Sequence, residues 1–399
     1  MNSRRDFLKT GIMVATAGSL LPNFLARTAL AEQNRPSSER SFPILVVLQM
    51  TGGNDGLNTV IPYRNDRYYE LRPTLGIPRA SALSLTDELG LHPRMAGMKA
   101  LYESANLAVI QNVGYPNPNR SHFRSMEIWH TAETEKIERT GWIGRYHDQI
   151  LKGLKNPLSA VNIGQELPLS LVGNGEAIPT IQNPGQYRLN GEPAMAASEM
   201  GTRKSSGSTL DFIQETAVNA YQSSESLQKA LKSYRSTVNY PQGPLAAGFK
   251  LVSQMITSDL GTRIYYLSFG SFDTHRNQDN QHANLLASMS EALAAFSQDL
   301  KQQGKWNDVL VMTFSEFGRR VAENGSRGTD HGTAAPMFVM GGRVKPGIHG
   351  GAPDLANLNS GDLSYRIDFR SVYSTVLSKW LKSDPRAILG REFEALNFI

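Results

Sequence analysis

The feature that most constrains this chain is a set of short, almost unbroken apolar runs, each passing straight into a polar loop. Ile44 to Met50 is the first. Apolar runs of this length, bounded by turn residues, read as strands buried on both faces. This one ends in the glycine turn Gly52-Gly53-Asn54-Asp55-Gly56. Leu107 to Val113 leads through a loop rich in Pro and Asn to Ser121-His122-Phe123, where a helix begins. Ile264 to Phe269 runs into Asp273-Thr274-His275, and Val309 to Phe314 into Ser315-Glu316-Phe317-Gly318-Arg319. A fifth run, Met337 to Met340, follows a glycine-rich loop holding Asp330-His331-Gly332.

Helical periodicity fills the intervals. From Asp279 to Gln303, Leu285, Met289, Leu293, Phe296 and Leu300 recur at the spacing of one helix face. Helices are also predicted from Leu210 to Tyr234, from Leu245 to Leu260, and from Tyr365 to Leu381 with Val372, Val376, Leu377 and Leu381 inward. Residues 151–260, with a Gly and Ser-rich stretch around Gly201 to Ser208, read as an insertion or cap on the main sheet. Strand, loop and helix in repetition predict an α/β fold with a mostly parallel sheet.

In such sheets ligands bind at the carboxyl ends of the strands, where loops converge and helix N-termini point positive ends at anions. Asp55, Ser121, Asp273, His275 and Glu316 each follow a strand, and Asp330 and His331 lie in the loop entering the next. Carboxylates and imidazoles are ligands of divalent cations such as Zn²⁺, Mn²⁺, Ca²⁺ or Mg²⁺, and carboxylates gathered without a cation repel one another. A hydroxyl at a helix start beside a cation is a candidate nucleophile, which singles out Ser121. Arg319 is a candidate to hold an anionic oxygen by bidentate bonds. The set points to phosphoryl or sulfuryl transfer, with Asp55, Asp273, His275, Glu316, Asp330 and His331 as the metal-binding group.

The same residues carry plainer readings, which the sequence leaves open. Asp55 in a Gly-Asn-Asp-Gly turn can serve its own backbone, and a serine at a helix start is most often an N-cap. His122 either packs on the sheet or donates to substrate. His282 reads as a surface residue near a helix start, and His349, between Ile348 and Gly350, as a loop residue and reserve ligand. Asp330 is either a ligand or the carboxylate that orients His331. Glu316 and Arg319 also suit a structural ion pair.

The N-terminus reads as a targeting segment. Ser3-Arg4-Arg5-Asp6-Phe7-Leu8-Lys9 precedes an uncharged stretch from Gly11 to Leu21, and Ala29 and Ala31 suit cleavage before Glu32. Residues 1–31 are thus expected to be a twin-arginine signal that engages the Tat translocase, residues 32–41 a linker, and residues 42–399 a single periplasmic or secreted domain. The apolar stretch is well short of the roughly 20 residues a spanning helix needs, so no stable membrane span is expected after cleavage. The formal charge of +5 becomes nearly balanced once Arg4, Arg5, Lys9 and Arg27 leave with Asp6, and no basic run suggests nucleic acid. The chain has no cysteine, which excludes disulfides and thiolate ligands.

Six segments carry a resemblance: LVVLQMTGGNDGLNTVIPY at 45–63, NRSHF at 119–123, SFDTHRNQ at 271–278, VLVMTFSEFGR at 309–319, GTDHGTA at 328–334 and IDFRSVYSTVL at 367–377. Together they resemble the bacterial exported proteins called the DUF1501 family, a family of unknown function that is more distantly similar to the alkaline phosphatase and sulfatase superfamily of metal-dependent hydrolases. That resemblance implies a three-layer α/β fold and hydrolysis of an anionic ester, with a small molecule or polysaccharide as substrate. It implies a nucleophile at Ser121, ligands at Asp273 with His275, and a last histidine at His331. The chain also departs from the superfamily pattern. The first strand reaches its Asp only at Asp55, the wider Asp-to-His spacing falls on Asn277, and the late Asp-His pair is replaced by Glu316-Phe317. One metal site is therefore implied. The missing imidazole at Phe317 favours a rival of another class, an exported binding or assembly protein that retains the fold. Lyase or transferase chemistry on carbohydrate is a third use of such a site.

Overall fold

The structure, a computed structural model, describes residues 43–175, 177–182 and 209–399. The expected signal and linker, and the stretch 201–208, lie outside the described residues. The chain divides into two compact units, residues 43–184 with 229–399, and residues 1–42 with 185–228.

The main sheet comprises β1 (Ile44–Met50), β2 (Leu107–Gly114), β3 (Ala160–Ile163), β4 (Thr180–Ile181), β5 (Ile264–Phe269), β6 (Val309–Phe314), β7 (Ala335–Gly341), β8 (Gly347–His349) and β9 (Ile367–Asp368). Their order is β8-β2-β7-β6-β1-β5-β3-β4, with β9 also paired to β2. The first strand is central, in parallel register with β5 at Val47↔Tyr266 and with β6 at Val47↔Met312. Only β7 runs antiparallel to its neighbours, β2 and β6. The other pairings are parallel, so the sheet is mostly parallel, as the apolar runs predict.

The longer helices are α1 (Ala96–Glu103), α2 (His122–Thr131), α3 (Thr209–Ser233), α4 (Pro244–Thr257), α5 (Gln278–Gln302) and α6 (Phe369–Thr375). Two faces of the sheet need cover because successive side chains alternate and every residue of β1 and β6 is buried. Leu45 and Val47 pack with Trp129, Trp142, Tyr373 and Trp380 on one face. Val46 and Leu48 point the other way and are equally enclosed, on the side where α4 meets α5 and β5, and α5 meets α1. Burying each such aliphatic side chain contributes on the order of 1.5–3 kcal/mol. The result is the expected three-layer arrangement of helices, sheet and helices.

Within the stretch 151–260, expected to be an insertion or cap, the described residues add strands to the sheet itself. They supply β3, which pairs with β5, and β4, which pairs with β3, while α4 packs against the sheet. These strands are only four and two residues long, too short to leave an apolar run that stands out from its surroundings.

Strand direction decides what reaches the site. Because β7 is antiparallel, it enters from the edge that β1, β2, β5 and β6 leave. Residues 315–334 therefore stay at that edge, where Arg319 and His331 form an antiparallel bridge and Gly318 N donates to Thr333 O at 2.7 Å.

Candidate metal centre

Asp273 is the hub. Phe272 N donates to Thr51 O at 3.1 Å, which draws the loop after β5 against the turn after β1. Gly52 lies there at φ +111°, and a Cβ on it would stand 2.5 Å from Asp273 N, so only glycine permits the approach. Asp273 Oδ1 accepts from Arg319 Nη2 at 2.6 Å. The same oxygen lies 3.1 Å from His275 Nε2 and 3.2 Å from His331 Nε2.

Three imidazoles are oriented by what their Nδ1 atoms touch. His331 Nδ1 lies 2.7 Å from the Arg120 carbonyl, His275 Nδ1 3.1 Å from Asp330 Oδ1, and His122 Nδ1 2.9 Å from Glu316 Oε1. Each partner only accepts, so each Nδ1 carries a proton, and Nε2 is the atom left bare when a ring is neutral. His275 Nε2 and His331 Nε2 face one another at 2.9 Å. His122 Nε2 is 3.4 Å from Asp273 Oδ2 and is buried without a hydrogen-bond partner among the described residues. One ligand atom each from His122, Asp273 and His331 falls within 4.8 Å. Lone pairs gathered beside a carboxylate repel unless a proton or a cation lies among them.

The residues fit a cation. Nitrogen or oxygen ligands about 2.1 Å from a tetrahedral Zn²⁺ stand roughly 3.4 Å apart. The edges among Asp273, His275 and His331 are 2.9, 3.1 and 3.2 Å, only slightly shorter. Carboxylate or carbonyl partners on Nδ1 are what metal-bound histidines characteristically have. Electrostatics agree. Burial raises the Asp273 carboxyl, but the hydrogen bond and the charge of Arg319 prevail and hold it at about 2, ionised at neutral pH. Burial lowers His331, whereas the Glu316 hydrogen bond raises His122.

The family model described as "Protein of unknown function (DUF1501)" matches residues 43–392. The chain belongs to the DUF1501 family. A comparison with curated protein sequences finds no match. Among solved structures, this DUF1501 chain is similar to an alkaline phosphatase superfamily protein from Vibrio parahaemolyticus, with 9% identity, TM-score 0.42, and 88% of this chain and 71% of that one covered. It is also similar to a sulfatase from Pseudoalteromonas sp., with 12% identity, TM-score 0.39, and 93% and 72% covered. The C-terminal periplasmic domain of EcEptC from Escherichia coli, in complex with Zn, shares 10% identity at TM-score 0.38, with 76% and 75% covered. Likeness this distant bears on neither the reaction nor the ligand of the DUF1501 chain.

Several residues stand elsewhere than the sequence suggests. Asp55 is fully enclosed. It caps the turn Gly56–Thr59, pairs with Arg72 Nη1 at 2.6 Å and accepts from Gln278 Nε2 at 2.5 Å, so its oxygens are engaged away from the cluster. Arg319, expected to steady an anion, has a wholly buried side chain. It donates to the carbonyls of Gly53 (2.6 Å), Thr329 (2.9 Å), Phe272 (3.1 Å) and Gly52 as well as to Asp273, which leaves no face for a substrate. Glu316 stands behind His122, and its Oε1 also accepts from Gly52 N at 2.8 Å. Asp330 likewise stands behind His275, held by Asn324 Nδ2 at 3.1 Å. Ser121 is the N-cap residue of α2, yet its hydroxyl makes no capping bond and the residue is exposed. His282 is buried rather than on the surface, with Nε2 3.0 Å from Asn54 Oδ1, and burial pushes its imidazole down to about 4. His349 lies on β8 and bonds the Lys345 carbonyl at 3.2 Å. Phe317 fills the place where an imidazole was missing, its ring 4.9 Å from His122 and 4.6 Å from His331. His122 is the residue that sequence reasoning left out of the ligand set. Its place directly after a candidate N-cap at a strand's carboxyl end was the available signal.

Proposed function

We propose that the chain is an exported, metal-dependent hydrolase of an anionic ester, a phosphate or a sulfate. One observation carries this reading: bare Nε2 atoms of His122, His275 and His331 gather around Asp273 while each Nδ1 is engaged by an acceptor. His275, His331 and Asp273 would hold the cation, with His122 beside them. An imidazole-rich set suits Zn²⁺ or Mn²⁺ better than Ca²⁺ or Mg²⁺. When bound, such a cation polarises an ester oxygen and lowers the pKa of a nearby hydroxyl or water. Glu316 and Asp330 keep the Nδ1 protons in place, and Arg319 keeps Asp273 ionised and fixed. Ser121, whose hydroxyl no cap engages, is the candidate nucleophile. Export by the Tat translocase to the periplasm or beyond rests on the paired arginines Arg4 and Arg5. No described helix is long and apolar enough to cross a membrane.

One observation favours the rival, an exported binding or assembly protein: the Arg319 side chain is wholly buried among carbonyls and Asp273, away from any anion in solution. The deciding experiment is elemental analysis of the mature protein with its Asp273→Ala and His331→Ala variants, followed by turnover of aryl phosphates and sulfates. Stoichiometric metal and turnover, both lost in the variants, support the hydrolase. Metal binding without turnover leaves the rival. A wild-type protein that takes up no metal sinks the centre itself.

A further inference from the structure

Because Arg319 is walled in, an anionic group arriving at the metal centre has to be met by other cations. Two stand beside it. Arg120 and Arg320 are tied to the centre through their backbones: the Arg120 carbonyl holds His331 Nδ1 at 2.7 Å, and Arg320 N donates to the Asp330 carbonyl at 2.9 Å. Arg120 also immediately precedes Ser121, the candidate nucleophile.

Their side chains converge on one carboxylate. Asp362 Oδ2 accepts from Arg120 Nη2, and Asp362 Oδ1 lies 3.9 Å from Arg320 Nε. The Asp362 side chain is 1% exposed, whereas those of Arg120 and Arg320 are 39% and 35% exposed, so the carboxylate sits behind the pair. Apart from its bond to Asp362, the Arg120 side chain makes no hydrogen bond among the described residues. Arg320 makes one, from Nη1 to the Ser360 carbonyl at 2.9 Å. A guanidinium carries five N–H donors, and the nitrogens left over here are open to solvent rather than buried.

Two guanidiniums against one carboxylate leave a positive charge unmatched. Arg320 also acts on Asp330, but that carboxylate is engaged by His275 and Asn324. The like charges are close enough to be felt: after burial, it is the charge of Arg320 that pushes the Arg120 guanidinium down. An anion between them relieves that repulsion, and planar guanidinium forks match the oxygens of phosphate and sulfate. Space is at hand. A cavity of about 570 Å³ is lined by Arg120, Ser360 and Asp362, and also by Phe317, whose ring packs 4.6 Å from that of His331.

We propose that Arg120 and Arg320 are the anion-holding pair of this site, binding a tetrahedral oxyanion, phosphate or sulfate, through the guanidinium donors that Asp362 and Ser360 leave free. That the oxyanion is the ester group presented to Asp273 and His331 rests on the function proposed above; anion binding itself does not.

The test is titration of the mature, metal-stripped protein with inorganic phosphate and with sulfate, followed by calorimetry and, for phosphate, by ³¹P NMR line width. Stripping the metal removes the other cation that would attract an oxyanion. At least one of the two is expected to bind with a dissociation constant of about 10 mM or tighter, and more weakly as sodium chloride is raised. Arg320→Gln should weaken binding about tenfold, through loss of a charge-assisted contact, while the protein keeps its melting temperature. Arg120→Gln alone would leave Asp362 buried without its donor, so it is combined with Asp362→Asn. That double variant keeps the net charge and should weaken binding to the same extent. If it fails to fold, Arg320→Gln carries the test alone. Binding of neither anion, or binding unchanged in the folded variants, overturns the proposal. Oxyanion binding in a protein with no ester turnover supports the pair and overturns the hydrolase. Turnover of aryl esters with KM and phosphate inhibition unchanged in the variants does the reverse.

Discussion

Arg319 offers the sharpest test, because its burial and its position at a strand end imply opposite roles. In Arg319→Ala the buried carbonyls of Gly53 and Thr329 lose their donor, whereas that of Phe272 keeps Thr274 N at 2.9 Å. Leaving a buried polar group unpaired costs about 1–3 kcal/mol, so two at the low end give at least ~2 kcal/mol before lost packing is counted. The partly exposed Asp273 pair adds little to that sum, since solvent screens it. For a domain of this size about 2 °C accompanies each kcal/mol, so the melting temperature should drop by roughly 4 °C or more. Arg319→Lys should recover little, because a point ammonium cannot span carbonyls that a planar guanidinium bridges. Circular dichroism melts of the three proteins, with and without added Zn²⁺, provide the measurement. A variant that melts within about 1 °C of wild type but has lost turnover would refute the reasoning. Arg319 would then be the anion-holding residue that its sequence position suggests.

Metal affinity should fall roughly 10–100-fold in Glu316→Gln and Asp330→Asn, because each removes a carboxylate that orients an imidazole; competition with a chromophoric chelator reads it. Gly52→Ala should lower stability and metal content together, since its Cβ would stand 2.5 Å from Asp273 N; elemental analysis of the folded fraction and a urea midpoint report both. For pH, His130 is buried between Gln49 and Tyr266, and burial pushes its imidazole down to about 4. The unfolded chain has it near 6.5, so the unfolded state binds the proton first as pH falls. Stability is therefore full above about pH 6.5 and should decline by on the order of 3 kcal/mol towards pH 4. A urea midpoint that stays flat over that window in wild type contradicts this, and His130→Gln should make the decline shallower by that share, since His92 and His282, also pushed down to about 4 by burial, keep theirs.

What the sequence made legible was whatever one stretch of chain determines by itself. Continuous apolar runs marked β1, β2, β5 and β6 because strands covered on both faces need apolar residues at every position. The direction of β7 was not legible, since it depends on which neighbours the strand joins. Asp273, His275 and His331 were found because polar residues after buried strands need partners. Asp55 and Arg319 satisfy the same rule, yet they serve the scaffold. What separates them is burial: Arg72, the partner of Asp55, sits in a helix C-cap with no signal to mark it, and Arg319 meets carbonyls from three distant loops. His122 was passed over because a histidine in the first turn of a helix has no spacing motif to announce it.

The pairing of β1 with β5 and β6 also sets a timetable. Thr51 and Phe269, bonded across β1 and β5, are 218 residues apart, and Gly52 and Glu316, across β1 and β6, are 264 apart. The central strand is therefore made among the earliest parts of the domain and cannot be joined on either side until most of the chain has been synthesised. Contacts of such long range form slowly, and until they do an apolar strand with two open edges is exposed to self-association. A route that threads the chain through a membrane while unfolded would deliver that strand alone. Export of the finished fold, the route proposed above, would bring β1 across with both neighbours in place.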